Sequence, residues 1–180
     1  CLSLTSISFD VSVFEIFVPL IFGAKLVLFE SSRLSDLRRL VEVIFNESIS
    51  LTYIPPSLLE DVCSVLKNTG KTIPLNKMLV GVEPIKDYTL EQYLELNDSM
   101  QIVNGYGPTE CTICATFYKY RPSKSRGHIV PIGKPLDNTR IYILDSKEKP
   151  VPVGVHGEIC ISGKGVGRGY INKVELTKEK

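Results

Sequence analysis

What this chain lacks already narrows what it can be. No uninterrupted apolar run is long enough to span a bilayer; residues 11–22, for instance, are broken by Glu15 and Pro19. No basic region precedes the first apolar residues, so no secretory signal is legible. Charge of one sign is not in excess: 21 Lys and Arg face 20 Asp and Glu, and no basic patch or acidic tail points to nucleic acid. The five cysteines, an odd number without framework spacing, fit reduced thiols in a cytosol better than disulfides. Only His128 and His156 are available as imidazoles, and neither lies near a candidate nucleophile, so a Ser-His-Asp or Cys-His hydrolase is not expected. No internal repeat or low-complexity segment is evident. A cytoplasmic protein with neither membrane nor nucleic-acid partner is the resulting expectation.

Apolar content is that of an ordinary globular protein, and 180 residues suit one domain or a piece of a larger one. Residue 1 is a cysteine rather than a methionine, and the last eight residues are polar with no terminal element. The chain therefore reads as an excerpt from a longer polypeptide.

Helical periodicity runs through residues 9–22, at Phe9, Val13, Phe14, Phe17, Leu20 and Ile21, with Gly23 as a stop. It returns at residues 34–45, and residues 57–67 and 86–97 also read as helices. Short β-type runs at residues 25–29, 50–54, 77–82 and 100–103 alternate with these helices, which predicts βαβ units and a parallel sheet. After Cys114 the pattern changes. Residues 116–120, 140–144 and 158–161 alternate between turn residues, as antiparallel strands do. The expected fold class is α/β: a parallel βαβ subdomain over residues 1–115, then the start of a β-rich, distorted-barrel subdomain over residues 116–180.

The densest chemistry lies at residues 104–110, Asn-Gly-Tyr-Gly-Pro-Thr-Glu. It is expected in a loop at the carboxyl end of the 100–103 strand, where open α/β sheets bind ligands. Gly105 and Gly107 let backbone approach a ligand. Tyr106 offers a face for a nucleobase, worth ~1–3 kcal/mol per base. Thr109 can donate to a phosphate oxygen, and Glu110 can hold a magnesium ion. A plainer reading is a strand-to-helix turn capped by Thr109 and Glu110. Asp10 is a second focus: on a helix it shares a face with Phe14, with Val11 adjoining, so it could grip an ammonium beside an apolar surface. The plain alternative is a helix N-cap at Ser8 or Asp10. Cys111 and Cys114 form C-x-x-C and on a helix would share a face, but lack the partners a metal or redox pair needs. Ordinary packing is expected of them. Four alternating glycines at positions 163–169 match neither the dinucleotide nor the Walker spacing.

These motifs together resemble one family. Asn104–Glu110 is similar to the N-x-Y-G-P-T-E motif of the adenylation domains of non-ribosomal peptide synthetases, within the adenylate-forming acyl-CoA synthetase and luciferase superfamily. Phe9-Asp10-Val11-Ser12 resembles their F-D-x-S segment. Gly81-Val82-Glu83-Pro84 resembles their adenine loop, with Val82 where a second glycine is usual. Residues 157–170 resemble their G-E-L-x-I-x-G-x-G-x-A-R-G-Y motif, with Gly167 for alanine, and are expected to serve structurally at a β-turn between strands. The motifs fall in the family's order across most of the chain, and correspond to the later half of the N-terminal core.

The resemblance implies a reaction: an amino acid and ATP give an aminoacyl adenylate and pyrophosphate, and the acyl group passes to the phosphopantetheine thiol of a partner carrier domain. It assigns Asp10 to the substrate ammonium. The side-chain pocket would comprise Val11, Phe14, Tyr53, Leu79, Gly81, Gly105, Ile113 and Cys114. Because that set carries no charge, an apolar amino acid is expected, branched-chain before aromatic. Val82, Glu83, Pro84, Asn104, Gly105, Tyr106, Gly107 and Thr109 would meet the nucleotide, Thr109 and Glu110 would be the catalytic pair, and Glu110 would hold Mg2+. Phe9 would gate the pantetheine thiol. The remaining halves of the adenylation domain would be partners, and the isolated chain is expected to be inactive. The alternatives are an acyl-CoA or aryl-acid ligase of the same superfamily, which needs no Asp10, and a non-catalytic nucleotide-binding fragment.

Overall fold

A computed structural model describes residues 1–30, 34–122 and 128–179. The apolar runs between helices become a central sheet. Its strands are β1 (Leu2–Ser3), β2 (Val27–Leu28), β3 (Leu51–Tyr53), β4 (Lys77–Gly81), β5 (Gln101–Tyr106), β6 (Thr116–Lys119) and β7 (Lys134–Pro135). Their spatial order is β2-β1-β3-β4-β5-β6-β7. The first five pair in parallel, and β6 and β7 extend the same sheet antiparallel. A second sheet pairs β8 (Thr139–Leu144) with β9 (Glu158–Gly163). The fold is thus mixed α/β, mostly parallel, with a small antiparallel sheet.

Helices α1 (Val11–Ile21), α2 (Leu37–Asn46), α3 (Leu59–Asn68) and α4 (Asp87–Leu96) make the crossovers. From β1 the chain steps one way to β2, then back across to β3, β4 and β5. Right-handed crossovers therefore put α1 on one face and the other three helices on the opposite face. The cores follow this division. Met78, Val80 and Ile102 point toward Leu40, Ile44, Val62, Leu66, Leu90 and Tyr93. Leu79 and Val103, the alternate residues of the same strands, join Tyr53 and α1. The reversal beside β1 is a topological switch point, and ligands of open sheets bind outside the carboxyl ends of strands there.

Several local expectations need correction. Asn104, Gly105 and Tyr106 belong to β5 rather than to a loop. The chain from Gly107 to Ala115 is a β-hairpin connection, holding a 3-10 turn at Thr109–Cys111, and not the start of a helix. Thr112 and Ile113 take positive φ, which ends helical geometry, so Cys111 and Cys114 share no helix face. The helix expected from Phe9 begins at Val11, and its buried stripe is Val11, Ser12, Glu15 and Pro19. The periodic set of Phe9, Val13, Phe17, Leu20 and Ile21 faces outward, because the Glu15 carboxylate is drawn in against β1. After β9 and its turn the chain forms a short helix, α5 (Val174–Lys178), rather than another strand. Among the described residues no helix is long and apolar enough to cross a membrane.

Candidate functional site

The carboxyl ends of β3, β4 and β5, with the start of α1, enclose one side-chain cluster. Val11, Tyr53 and Leu79 are buried together, and Phe14, Val103 and Ile113 pack against them. Gly105 faces the same space: a Cβ there would stand 2.7 Å from Cys114 Sγ, 3.2 Å from the Phe117 ring and 3.4 Å from Leu79. Gly81, paired with Gly105 across the ladder, has φ +146°, and a Cβ on it would lie 2.0 Å from the Gly105 carbonyl oxygen. All eight residues expected to line a side-chain pocket are therefore contiguous. Sequence reasoning missed Val103 and Phe117. Their signal was the period-2 alternation that puts Val103 two residues before Gly105.

Asp10 stands at the N-cap of α1, yet its side chain makes no capping hydrogen bond. The turn before the helix is instead tied by Ser12, whose hydroxyl donates to the Phe9 carbonyl at 2.7 Å. Burial pushes the Tyr53 hydroxyl up to about 12, with further upward contributions from Glu15, Glu83, Asp10 and Cys114. Burial also raises the Cys114 thiol to about 12, and the nearby Asp10 carboxylate adds to the rise. Both groups are thus neutral at ordinary pH, and the carboxylate of Asp10 lies within Coulombic reach of each.

The second half of the site follows β5. Asn104 is buried, on the face opposite Gly105; its amide donates to the Pro131 carbonyl at 2.9 Å. Its Oδ1 is buried with no hydrogen-bond partner among the described residues, an acceptor that a buried polar group ordinarily does not leave unused. Tyr106 is half-buried at the strand end, and Thr109 and Glu110 are exposed beyond it. Gly107 is required by the chain itself, since a Cβ would come 2.6 Å from the Ala115 amide nitrogen. Val82, Glu83 and Pro84 form an exposed turn after β4, with Val82 at φ +69°. The glycine-rich segment after β9 docks on this corner. The Gly167 amide donates to the Glu110 carbonyl at 2.7 Å, the Thr112 hydroxyl donates to the Gly165 carbonyl at 2.7 Å, and the Tyr170 hydroxyl donates to the Glu110 carboxylate. Among the described residues no group of three or more His, Cys, Asp or Glu side chains is arranged to hold a metal unaided.

Comparison with known proteins gives this geometry its context. Residues 1–171 match the model of the AMP-binding enzyme family. The chain is 38% identical over 179 residues to bacitracin synthase 1 of Bacillus licheniformis, covering 99% of this chain and 3% of that protein. It is 37% identical over 174 residues to tyrocidine synthase 3 of Brevibacillus parabrevis, covering 97% of this chain and 3% of that one. Among solved structures, the non-ribosomal peptide synthetase FmoA3 superposes with a TM-score of 0.93 at 27% identity, over 99% of this chain and 20% of that chain. The Klebsiella oxytoca NpsA N-terminal subdomain shares the fold, with a TM-score of 0.82 at 24% identity, over 98% of this chain and 45% of that one.

Proposed function

The chain belongs to the AMP-binding enzyme family, and from that premise we propose that it is the pocket-bearing part of an amino-acid-activating adenylation domain. The reaction joins an amino-acid carboxylate to the α-phosphorus of ATP, releases pyrophosphate, and hands the acyl group to a carrier-domain phosphopantetheine. The observation that carries this reading is an uncharged cluster of Val11, Phe14, Tyr53, Leu79 and Ile113 beside an aspartate that does not cap its helix. Asp10 grips the substrate ammonium, and the cluster with Gly81, Gly105 and Cys114 receives an apolar side chain. An ionic side chain there would lose its hydration without a partner, so a branched aliphatic amino acid is the preferred substrate class.

ATP is held by the strand ends beside this pocket. The buried Asn104 Oδ1, with no hydrogen-bond partner among the described residues, fits the donor chemistry of the adenine amine. Tyr106 stacks on the base, while Val82, Glu83, Pro84, Gly105 and Gly107 border it. Thr109 donates to a phosphate oxygen. Glu110 holds Mg2+, an ion that takes one or two carboxylates together with substrate phosphates, in keeping with the absence of a larger acidic cluster among the described residues. The metal supplies charge neutralisation; Thr109 and Glu110 position the reacting phosphate. Phe9, exposed before α1, borders the path of the pantetheine thiol. The rest of the adenylation domain and a carrier domain are the partners, in the cytoplasm.

The Gly-Val-Glu-Pro turn leans toward some acyl-CoA synthetases and favours, as a second reading, a ligase whose acid has no amine. Amino-acid-dependent ATP–pyrophosphate exchange by the full-length protein decides between them. Asp10→Ala is expected to raise the amino-acid KM by about tenfold to a hundredfold, the worth of a hydrogen bond to a charged group. Exchange that is indifferent to this change, or driven only by acids without an amine, overturns the assignment.

A further inference from the structure

Glu15 is the one charged residue of α1 and is completely buried. Among the described residues, the hydrogen bonds to its carboxylate all come from the end of β1 and the two residues after it. Oε2 accepts from the Ser3 hydroxyl at 3.0 Å and from the Thr5 amide at 2.9 Å. Oε1 accepts from the Thr5 hydroxyl at 3.1 Å. The Leu4 amide is shared, 3.2 Å from Oε1 and 3.1 Å from Oε2. No lysine or arginine pairs with it among the described residues, so its charge is met by donors of one short segment. That segment leads straight into the turn that carries Phe9 and Asp10, and Glu15 lies one helical turn beyond Val11, on the same buried stripe. The carboxylate thus closes a ring: β1 end, residues 6–10, first turn of α1, and back to β1.

A buried ion is a poor way to fill a core, since an apolar residue of similar volume serves at least as well. We propose that Glu15 is a positioning residue for the amino acid: it locks the 5–10 segment so that the Asp10 carboxyl stands beside the pocket. This rests on the reading of Asp10 given above. The Leu4 amide, a donor only, faces both oxygens, so Glu15→Gln keeps the volume but, in either orientation, brings its NH2 group against that N–H.

The test is pyrophosphate exchange by the full-length protein, with the KM for amino acid and for ATP measured separately, for Glu15→Gln beside Asp10→Ala. The expected result for Glu15→Gln is an amino-acid KM raised at least about tenfold, as small misplacements of binding groups produce, with the ATP KM changed by less than about twofold. Both KM values rising together would mark general loss of structure and overturn the proposal. So would an unmoved amino-acid KM in Glu15→Gln when Asp10→Ala raises it. If Asp10→Ala itself moves nothing, the functional reading fails and this inference with it. Should Glu15→Gln not fold, Thr5→Val removes one side-chain donor and leaves the carboxylate; a raised amino-acid KM then supports the proposal and an unchanged one overturns it.

Discussion

Val82, Thr112 and Ile113 hold backbone conformations that β-branched residues rarely adopt, with φ of +69°, +61° and +70°. All three border the candidate site, and strained backbone gathers where surrounding structure over-determines it. Thr112 is fastened by its bond to the Gly165 carbonyl. Val82 has no such compensation in its own side chain, which is 60% exposed. The family's usual glycine at this position thus has a conformational meaning. Left-handed geometry costs an L-residue about 1–2 kcal/mol, while glycine forfeits about 0.5–1 kcal/mol of chain entropy. Val82→Gly is therefore expected to stabilise the protein by up to about 1.5 kcal/mol, seen as a higher denaturant midpoint at unchanged slope. A lower midpoint would show that the valine side chain makes a contact worth more than its strain.

The junction of β4 and β5 is where elements set the site's dimensions. Five residue pairs zip these strands together, from Lys77 opposite Gln101 to Gly81 opposite Gly105. In the last pair, Gly81 has no room for a Cβ, which would overlap the Gly105 carbonyl oxygen at 2.0 Å. Gly81→Ala should cost about 2–4 kcal/mol, combining left-handed strain with overpacking, and should splay the strand ends that line the pocket. Gly105→Ala should cost less, because its Cβ meets the movable Cys114 side chain. Denaturant melts of the two variants compare them; equal losses would contradict this ranking. The β4 and β5 runs were legible in sequence because strands buried on both faces read as continuous apolar segments. β1 and β7, two residues each, fall below any periodicity. The turn at residues 107–115 was not legible either. Neither Thr112 nor Ile113 is a residue type that announces positive φ, and the closing bond from the Ala115 amide to the Tyr106 carbonyl belongs to hairpin geometry that no spacing records. Glu15 was visible only as an interruption of an apolar stretch, since what it binds lies in another element.

At the scale of the whole molecule, α1 presents a problem of partners. Phe17, Leu20, Ile21 and Phe22 are all more than half exposed, and beside them runs an apolar groove of about 540 Å³ whose lining includes Phe14, Val18, Phe22, Leu79, Val103 and Phe117. Apart from Ser12 and Glu15 on its buried stripe, α1 is apolar, and an exposed patch of this kind marks an interaction surface. The chain spans 20% of the FmoA3 chain it superposes on. The periodicity of residues 9–22 therefore reported the helix correctly, while most of its periodic residues form an exposed apolar surface rather than this chain's own core. The consequence is measurable. In the 180-residue chain alone, Phe17→Ser with Phe22→Ser should change stability by no more than about 0.5 kcal/mol per site, as exposed substitutions do, and should reduce aggregation. In the full-length protein the same pair should cost about 1.5–3 kcal/mol for each phenylalanine that becomes fully buried. Parallel denaturation of the two contexts checks this, and small, equal effects in both would mean that α1 keeps a solvent-facing apolar surface even in the larger protein.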